Sequence, residues 1–111
     1  MTITFANNTH PGYDNVKAFN IAAEQLSQFN VEDSTYGNDS CPSILVWINE
    51  GTETYLQLFI DYKNPELREE EEMLEFCVTL YEEGDMQETE DFDSLDLAID
   101  HITEKTLSFI N

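Results

Sequence analysis

The sequence predicts an α+β fold, an antiparallel meander sheet of three or four strands packed with an N-terminal and a C-terminal helix in the order α-β-β-β-(β)-α. Three observations predict it. Residues 14–29 and 94–109 repeat apolar side chains at helical spacing. The stretches 43–49, 55–62 and 73–82 run or alternate apolar as strands do, and turn residues stand between all of these. With 111 residues, 41% of them apolar and including 7 Phe, 5 Tyr and 1 Trp, the chain has the length and content for a single domain, 1–111, with one core.

Taken in order, Thr2 to Phe5 reads as a short edge strand, and Asn7 to Gly12 as turn chemistry around Pro11. Val16, Phe19, Ala22, Ala23 and Leu26 then form a helical stripe, with Asp14 as the expected N-cap and the helix ending near Phe29. Residues 30–43, broken by Gly37 and Pro42, read as a connection. SILVWIN at 43–49 reads as a buried strand, and Glu50, Gly51 and Thr52 as a turn. In 55–62, Leu56, Leu58, Ile60 and Tyr62 share one face against Tyr55, Gln57, Phe59 and Asp61, which makes a hairpin with the strand before it.

Residues 65–72 are expected to be an acidic loop or single turn, followed by a third strand at 73–82. A helix started by Asn64 and Pro65 is the alternative over 65–83, but the strict alternation of Leu74, Phe76, Val78 and Leu80 favours the strand. Glu83, Gly84 and Asp85 turn the chain, and Met86 to Glu90 add a short fourth strand. Asp93 is the expected cap of the last helix, with Phe92 and Leu97 as a hydrophobic staple across it. Leu95, Ala98, Ile99, Ile102, Thr106 and Phe109 make its apolar stripe, and Asp96, Asp100 and Glu104 its outer face.

Charge is the strongest signal. Asp and Glu number 24 against 4 Lys and Arg, a net charge of −20, and 15 of the acidic residues fall between Glu66 and Asp100 beside one basic residue, Arg68. Solubility alone is met by a net charge of roughly 2–8 in magnitude, and self-repulsion on this scale opposes the compact state. The excess points to a basic partner. It also argues against binding nucleic acid directly or lying on an anionic membrane.

The first ten residues lack the basic start and apolar core of a secretory signal, and no apolar run approaches the ~18–20 residues that span a bilayer, so a cytosolic location is expected. Cys41 and Cys77 are too few for a disulfide framework, and neither is assigned a redox role. His10 and His101 lack zinc-helix spacing. The segment from Asp85 to Asp96 has Glu90 where a calcium loop needs Gly, so neither a metal nor a cofactor is expected. With no phosphate loop, no nucleophile elbow and carboxylate pairs too common to discriminate, the chain is not expected to be an enzyme.

A carboxylate on every second strand residue recurs at about 6.7 Å, and one on every fourth helical residue at about 6 Å. Successive phosphates of one DNA strand lie roughly 6–7 Å apart. The candidate contact residues are Glu69, Glu70, Glu71 and Glu72 in the loop, and Glu82, Glu83, Asp85, Glu88 and Glu90 around the third-strand turn. Asp93, Asp96 and Asp100 on the last helix complete the set. Each would accept charge-assisted hydrogen bonds from Lys or Arg in place of a phosphate.

In size and in the acidic excess from Glu66 to Glu104, the chain resembles the DNA-mimic inhibitors of phages and plasmids: anti-CRISPR proteins, anti-restriction proteins and inhibitors of uracil-DNA glycosylase. That resemblance, of class and without a shared motif, implies a stoichiometric inhibitor in the basic nucleic-acid groove of a bacterial defence enzyme, a CRISPR effector first. The alternative is an immunity protein or antitoxin that neutralises a basic nuclease toxin, with Tyr13, Tyr36, Tyr55 and Tyr81 as aromatic anchors. Self-pairing through an open sheet edge, with Tyr55, Gln57 and Phe59 on the exposed patch, would give a homodimer.

Overall fold

A computed structural model describes residues 10, 12–35, 41–69 and 72–110. Its elements are α1 (Val16–Gln25), β1 (Asn30–Asp33), β2 (Ser43–Asn49), β3 (Thr54–Ile60), β4 (Phe76–Glu82), β5 (Asp85–Phe92) and α2 (Leu95–Ile110). Single 3₁₀ turns lie at Glu50–Thr52 and Pro65–Leu67. The five strands form one antiparallel meander in the order β1-β2-β3-β4-β5. The α+β class and the flanking helices are as the sequence predicts.

Alternation decides which side of the sheet is dry. Ile44, Val46, Leu56, Leu58, Ile60, Phe76, Val78 and Leu80 project to one face and close a core with Phe19, Ala22, Ala23 and Leu26 of α1 and Ala98, Ile99 and Ile102 of α2. Their burial at about 25 cal/mol per Å² is the main stabilising term. The other face carries Leu45, Trp47, Tyr55, Gln57, Phe59, Cys77 and Tyr81, all half-buried, and no described helix lies over it.

The structure corrects several boundaries. Residues 30–33, expected within a connection, form β1, because the edge of β2 offers main-chain partners to any extended segment: Val31 pairs with Val46 and Asp33 with Ile44. The fourth strand is longer than expected, Asp85–Phe92, and the third begins only at Phe76. Asp14 does not cap α1. The N-cap is Asn15, without a side-chain cap bond, while the Asp14 carboxylate accepts from the N–H groups of Lys63 (2.7 Å) and Asn64 (2.9 Å).

Ser94 rather than Asp93 faces the start of α2, its hydroxyl accepting from the Leu97 N–H at 3.5 Å. With the cap moved by one residue, the staple positions move too. Leu97 is 55% exposed, and Phe92 packs on His101 with ring centroids 5.3 Å apart. Phe109, expected in the stripe, is also exposed. The edge strand expected at Thr2 to Phe5 lies outside the described residues, as do Pro11, Tyr36 and Gly37.

Candidate acidic interface

The acidic loop between β3 and β4 is shaped by the one arginine. Asn64 accepts from the Glu66 N–H (3.0 Å), and Pro65 starts a single 3₁₀ turn, which is the loop-with-turn that the sequence predicts. Arg68 then donates from Nε to the Tyr62 carbonyl (2.7 Å), and from its two terminal nitrogens to the carbonyls of Met73 (2.6 Å) and Lys63 (3.2 Å). The planar fork of a guanidinium suits three fixed acceptors at once. Glu69 and Glu72 stand exposed on the segment so clasped, and Glu70 and Glu71 lie outside the described residues.

At the other end of the sheet, β4 turns into β5 through Glu83 at φ 55° and Gly84 at φ 81°, the backbone of a two-residue type I′ hairpin. Glu53 is also left-handed, at φ 54°, and its carbonyl accepts from the Gly84 N–H at 3.1 Å, which ties the β2–β3 turn to the β4–β5 turn. A polar cleft of about 390 Å³ lies there, lined by Thr52, Thr54, Glu82, Glu83, Asp85 and Gln87. Three of the expected contact residues are thereby gathered at one place.

The carboxylates of β5 divide between the two faces. Glu88 and Glu90 pair in register with Leu80 and Val78, so they stand on the helix side, whereas Asp91 pairs with Cys77 on the open side. All three are exposed, as is every residue of β5 but Phe92. Lys105 of α2 reaches Glu88 at 2.7 Å, and His101 lies 3.5 Å from Glu90. The Lys105 hydrogen bond holds the Glu88 carboxyl below its ordinary value. Among the described residues, Lys105–Glu88 is the one Lys or Arg contact with a carboxylate, and His101–Glu90 the one histidine contact. Asp93, Asp96 and Asp100 are exposed, the latter two one turn apart on the outer face of α2.

The expected set is therefore three acidic patches on a shared frame: the Arg68 loop, the β4–β5 turn, and α2 with the helix side of β5. Among the described residues no group of His, Cys, Asp and Glu is arranged to hold a metal ion. No described helix is long and apolar enough to cross a membrane.

An aromatic ladder completes the surface, and sequence reading found only part of it. Trp47, Tyr55, Tyr81 and Met86 are register partners across β2 to β5. The ring centroids of Trp47 and Tyr55 are 5.0 Å apart, and those of Tyr55 and Tyr81, which stack, 4.7 Å. Trp47 also donates its ring N–H to Glu32. Tyr13, in contrast, is committed inside: its hydroxyl donates to the Ile60 carbonyl (2.7 Å) and its ring meets Tyr62 edge-on at 5.3 Å. The signal for Trp47 was present in the strand alternation, but only the strand register shows which aromatic stands beside which.

No protein-family model matches the chain, and no curated protein or solved structure is detectably similar to it.

Proposed function

We propose that this chain is a stoichiometric protein inhibitor that presents carboxylates in place of DNA phosphates and occupies the basic groove of a bacterial defence enzyme, a CRISPR effector in the first instance. One observation carries the reading: of the described residues in the expected contact set, only Glu88 has a Lys or Arg partner, and Glu90 alone lies beside a histidine. The others are exposed, apart from the half-buried Glu82, and Asp96 and Asp100 stand one helical turn apart, near the phosphate repeat. Unpaired charge at this density repels itself, and a groove lined with Lys and Arg relieves that repulsion on binding. The protein would then act in the cytosol, without catalysis or a cofactor.

The test is competition. A guide-loaded effector is incubated with labelled target DNA and increasing amounts of the protein at two salt concentrations. DNA release at one equivalent, weakened by salt, is the expected result. Reversal of Glu69 and Glu72 to Lys should weaken release far more than reversal of Glu24, an exposed residue on α1. Equal effects of the two variants would refute the assignment of the loop.

The aromatic ladder favours a second reading, an immunity protein or antitoxin against a basic nuclease toxin, because anchored interfaces of that kind are built on clustered Trp and Tyr. Capture of one toxin whose DNA groove stays open, with binding lost on Tyr55→Ala and Tyr81→Ala, would replace the first reading with this one.

A further inference from the structure

Beside the Arg68 loop, on the open face, lies a cleft of about 210 Å³ lined by Cys41, Phe59, Asp61, Met73, Leu74, Glu75 and Cys77. Its volume is roughly that of seven liquid waters at ~30 Å³ each, room for one long side chain. The register explains its composition. Phe59 pairs with Cys77, and two residues further on the Asp61 N–H donates to the Glu75 carbonyl (2.8 Å), so two carboxylates stand at the end of an apolar slot.

Asp61 is the unusual member. It is only 3% exposed, yet among the described residues its carboxylate accepts a single hydrogen bond, from the Tyr62 N–H at 2.8 Å to Oδ1. Its second oxygen has no donor among the described residues. Arg68, whose charge acts on Asp61, has directed its nitrogens to carbonyl groups. Glu75 is half-buried and accepts from Asn15 (2.7 Å), which also donates to the Asp61 carbonyl oxygen (2.9 Å) and so fixes both acids in place. Burial pushes the Asp61 carboxyl above its ordinary value, against the opposing effects of the Tyr62 N–H and Arg68. A carboxylate so nearly buried, with its second oxygen reachable from the cleft and not sealed in, is complementary to a cation that brings its own apolar stem.

We infer that this cleft is a socket for a lysine or arginine side chain of a protein partner, the aliphatic stem lying on Phe59, Met73 and Leu74 and the charged head meeting Asp61 and Glu75. The inference rests on the reading of a basic partner and names where one of its side chains docks. Charge complementarity selects the occupant: a net charge of −20 disfavours a second copy of the chain, and two acids exclude an anion. A thiol reaction between the lining cysteines is also excluded. Cys41 precedes β2 and Cys77 lies on β4, with β3 between them, so they are about 10 Å apart at the 4.7–4.9 Å strand spacing, beyond disulfide reach.

The test needs no enzyme. The full chain, labelled for NMR, is titrated in 150 mM salt with the capped tripeptides Gly-Lys-Gly and Gly-Arg-Gly, with the norleucine analogue, and with the free diamine cadaverine. Saturable shifts at Met73, Leu74 and Cys77 with the Lys or Arg peptide are expected, lost about tenfold in Asp61→Asn. Leu74→Trp, which blocks the mouth from an exposed position, should abolish them while the rest of the spectrum stays unchanged. Equal binding of norleucine, shifts spread without saturation over Glu83, Asp96 and Asp100, or tighter binding of cadaverine than of either peptide would each overturn the inference. Peptide binding with no DNA competition would refute the proposed function and leave the socket standing; the reverse result would do the opposite.

Discussion

Replacing Arg68 by Ala removes three hydrogen bonds at once, to the carbonyls of Tyr62, Lys63 and Met73. Buried bonds from a charged donor contribute about 1.5–3 kcal/mol each, but this side chain is only half-buried. Discounted for solvent to roughly 0.5–1 kcal/mol each, the three together stabilise the fold by about 2 kcal/mol, a fall in melting temperature of about 8 °C for a domain of this size. Urea unfolding followed by Trp47 fluorescence measures the loss, and amide exchange of residues 63–73 locates it. Arg68→Lys is the sharper test, since an ammonium on a flexible stem cannot reach three acceptors in a fixed fork and should recover no more than about a third of the loss. If Arg68→Ala changes stability by less than about 0.5 kcal/mol, or if Lys restores it fully, the clasp is not what shapes the acidic loop.

Three further outcomes follow from the same physics. Glu83→Asn should raise stability by about 0.5–1 kcal/mol in thermal unfolding, because Asn tolerates the left-handed backbone that Glu83 holds at φ 55°. Asp61→Asn should be at least as stable as the parent at pH 7: burial raises the folded carboxyl above its unfolded value, so charging it costs stability above the folded pKa. The parent regains that stability as pH falls through the folded value, and below the unfolded one the difference between the two proteins should vanish in a pH series of urea titrations. Added salt, from about 20 mM to about 500 mM, should raise the melting temperature by several degrees, because screening relieves the repulsion of unpaired carboxylates more than it weakens the Lys105–Glu88 pair. A fall in melting temperature with salt would mean that attraction, not repulsion, dominates the surface.

Much of the fold was legible because its main strands have a period-two pattern over a dry face. Leu56, Leu58 and Ile60 alternate with Tyr55, Gln57 and Phe59, and no other element type places them so. β1 was not legible: NVED has one apolar residue, and its pairing depends on β2 rather than on its own composition. The cap of α2 was missed by one residue because Asp93 and Ser94 are both good caps, and the choice falls to how the chain leaves β5. The acidic patches could be read from composition, but the pairing of Lys105 with Glu88 could not, since it needs α2 laid across the β4–β5 edge. The cleft was invisible for the same reason. Asp61 and Glu75 are separated along the chain by the whole acidic loop and meet only through the β3–β4 register.

The three acidic patches do not bear equally on function, because β5, which supplies acids to two of them, answers a structural need. β5 is an edge strand, and an edge with free N–H and C=O groups recruits other strands unless something prevents it. Asp85, Glu88, Glu90 and Asp91 on that exposed edge supply charge repulsion against such pairing whatever else the protein does. Glu32 and Asp33 stand on β1, the opposite edge, where the same argument applies. Glu69 and Glu72 are different. They lie on a loop that has no ladder to protect, the loop is clasped by Arg68 through carbonyl oxygens rather than carboxylates, and neither acid has an ion-pair partner among the described residues. Edge protection does not account for them, nor does loop structure. Charge reversal there consequently reports on the proposed partner alone, whereas charge reversal on β5 would report on that partner and on self-association together, and only the first of these separates the proposed recognition from the upkeep of the sheet.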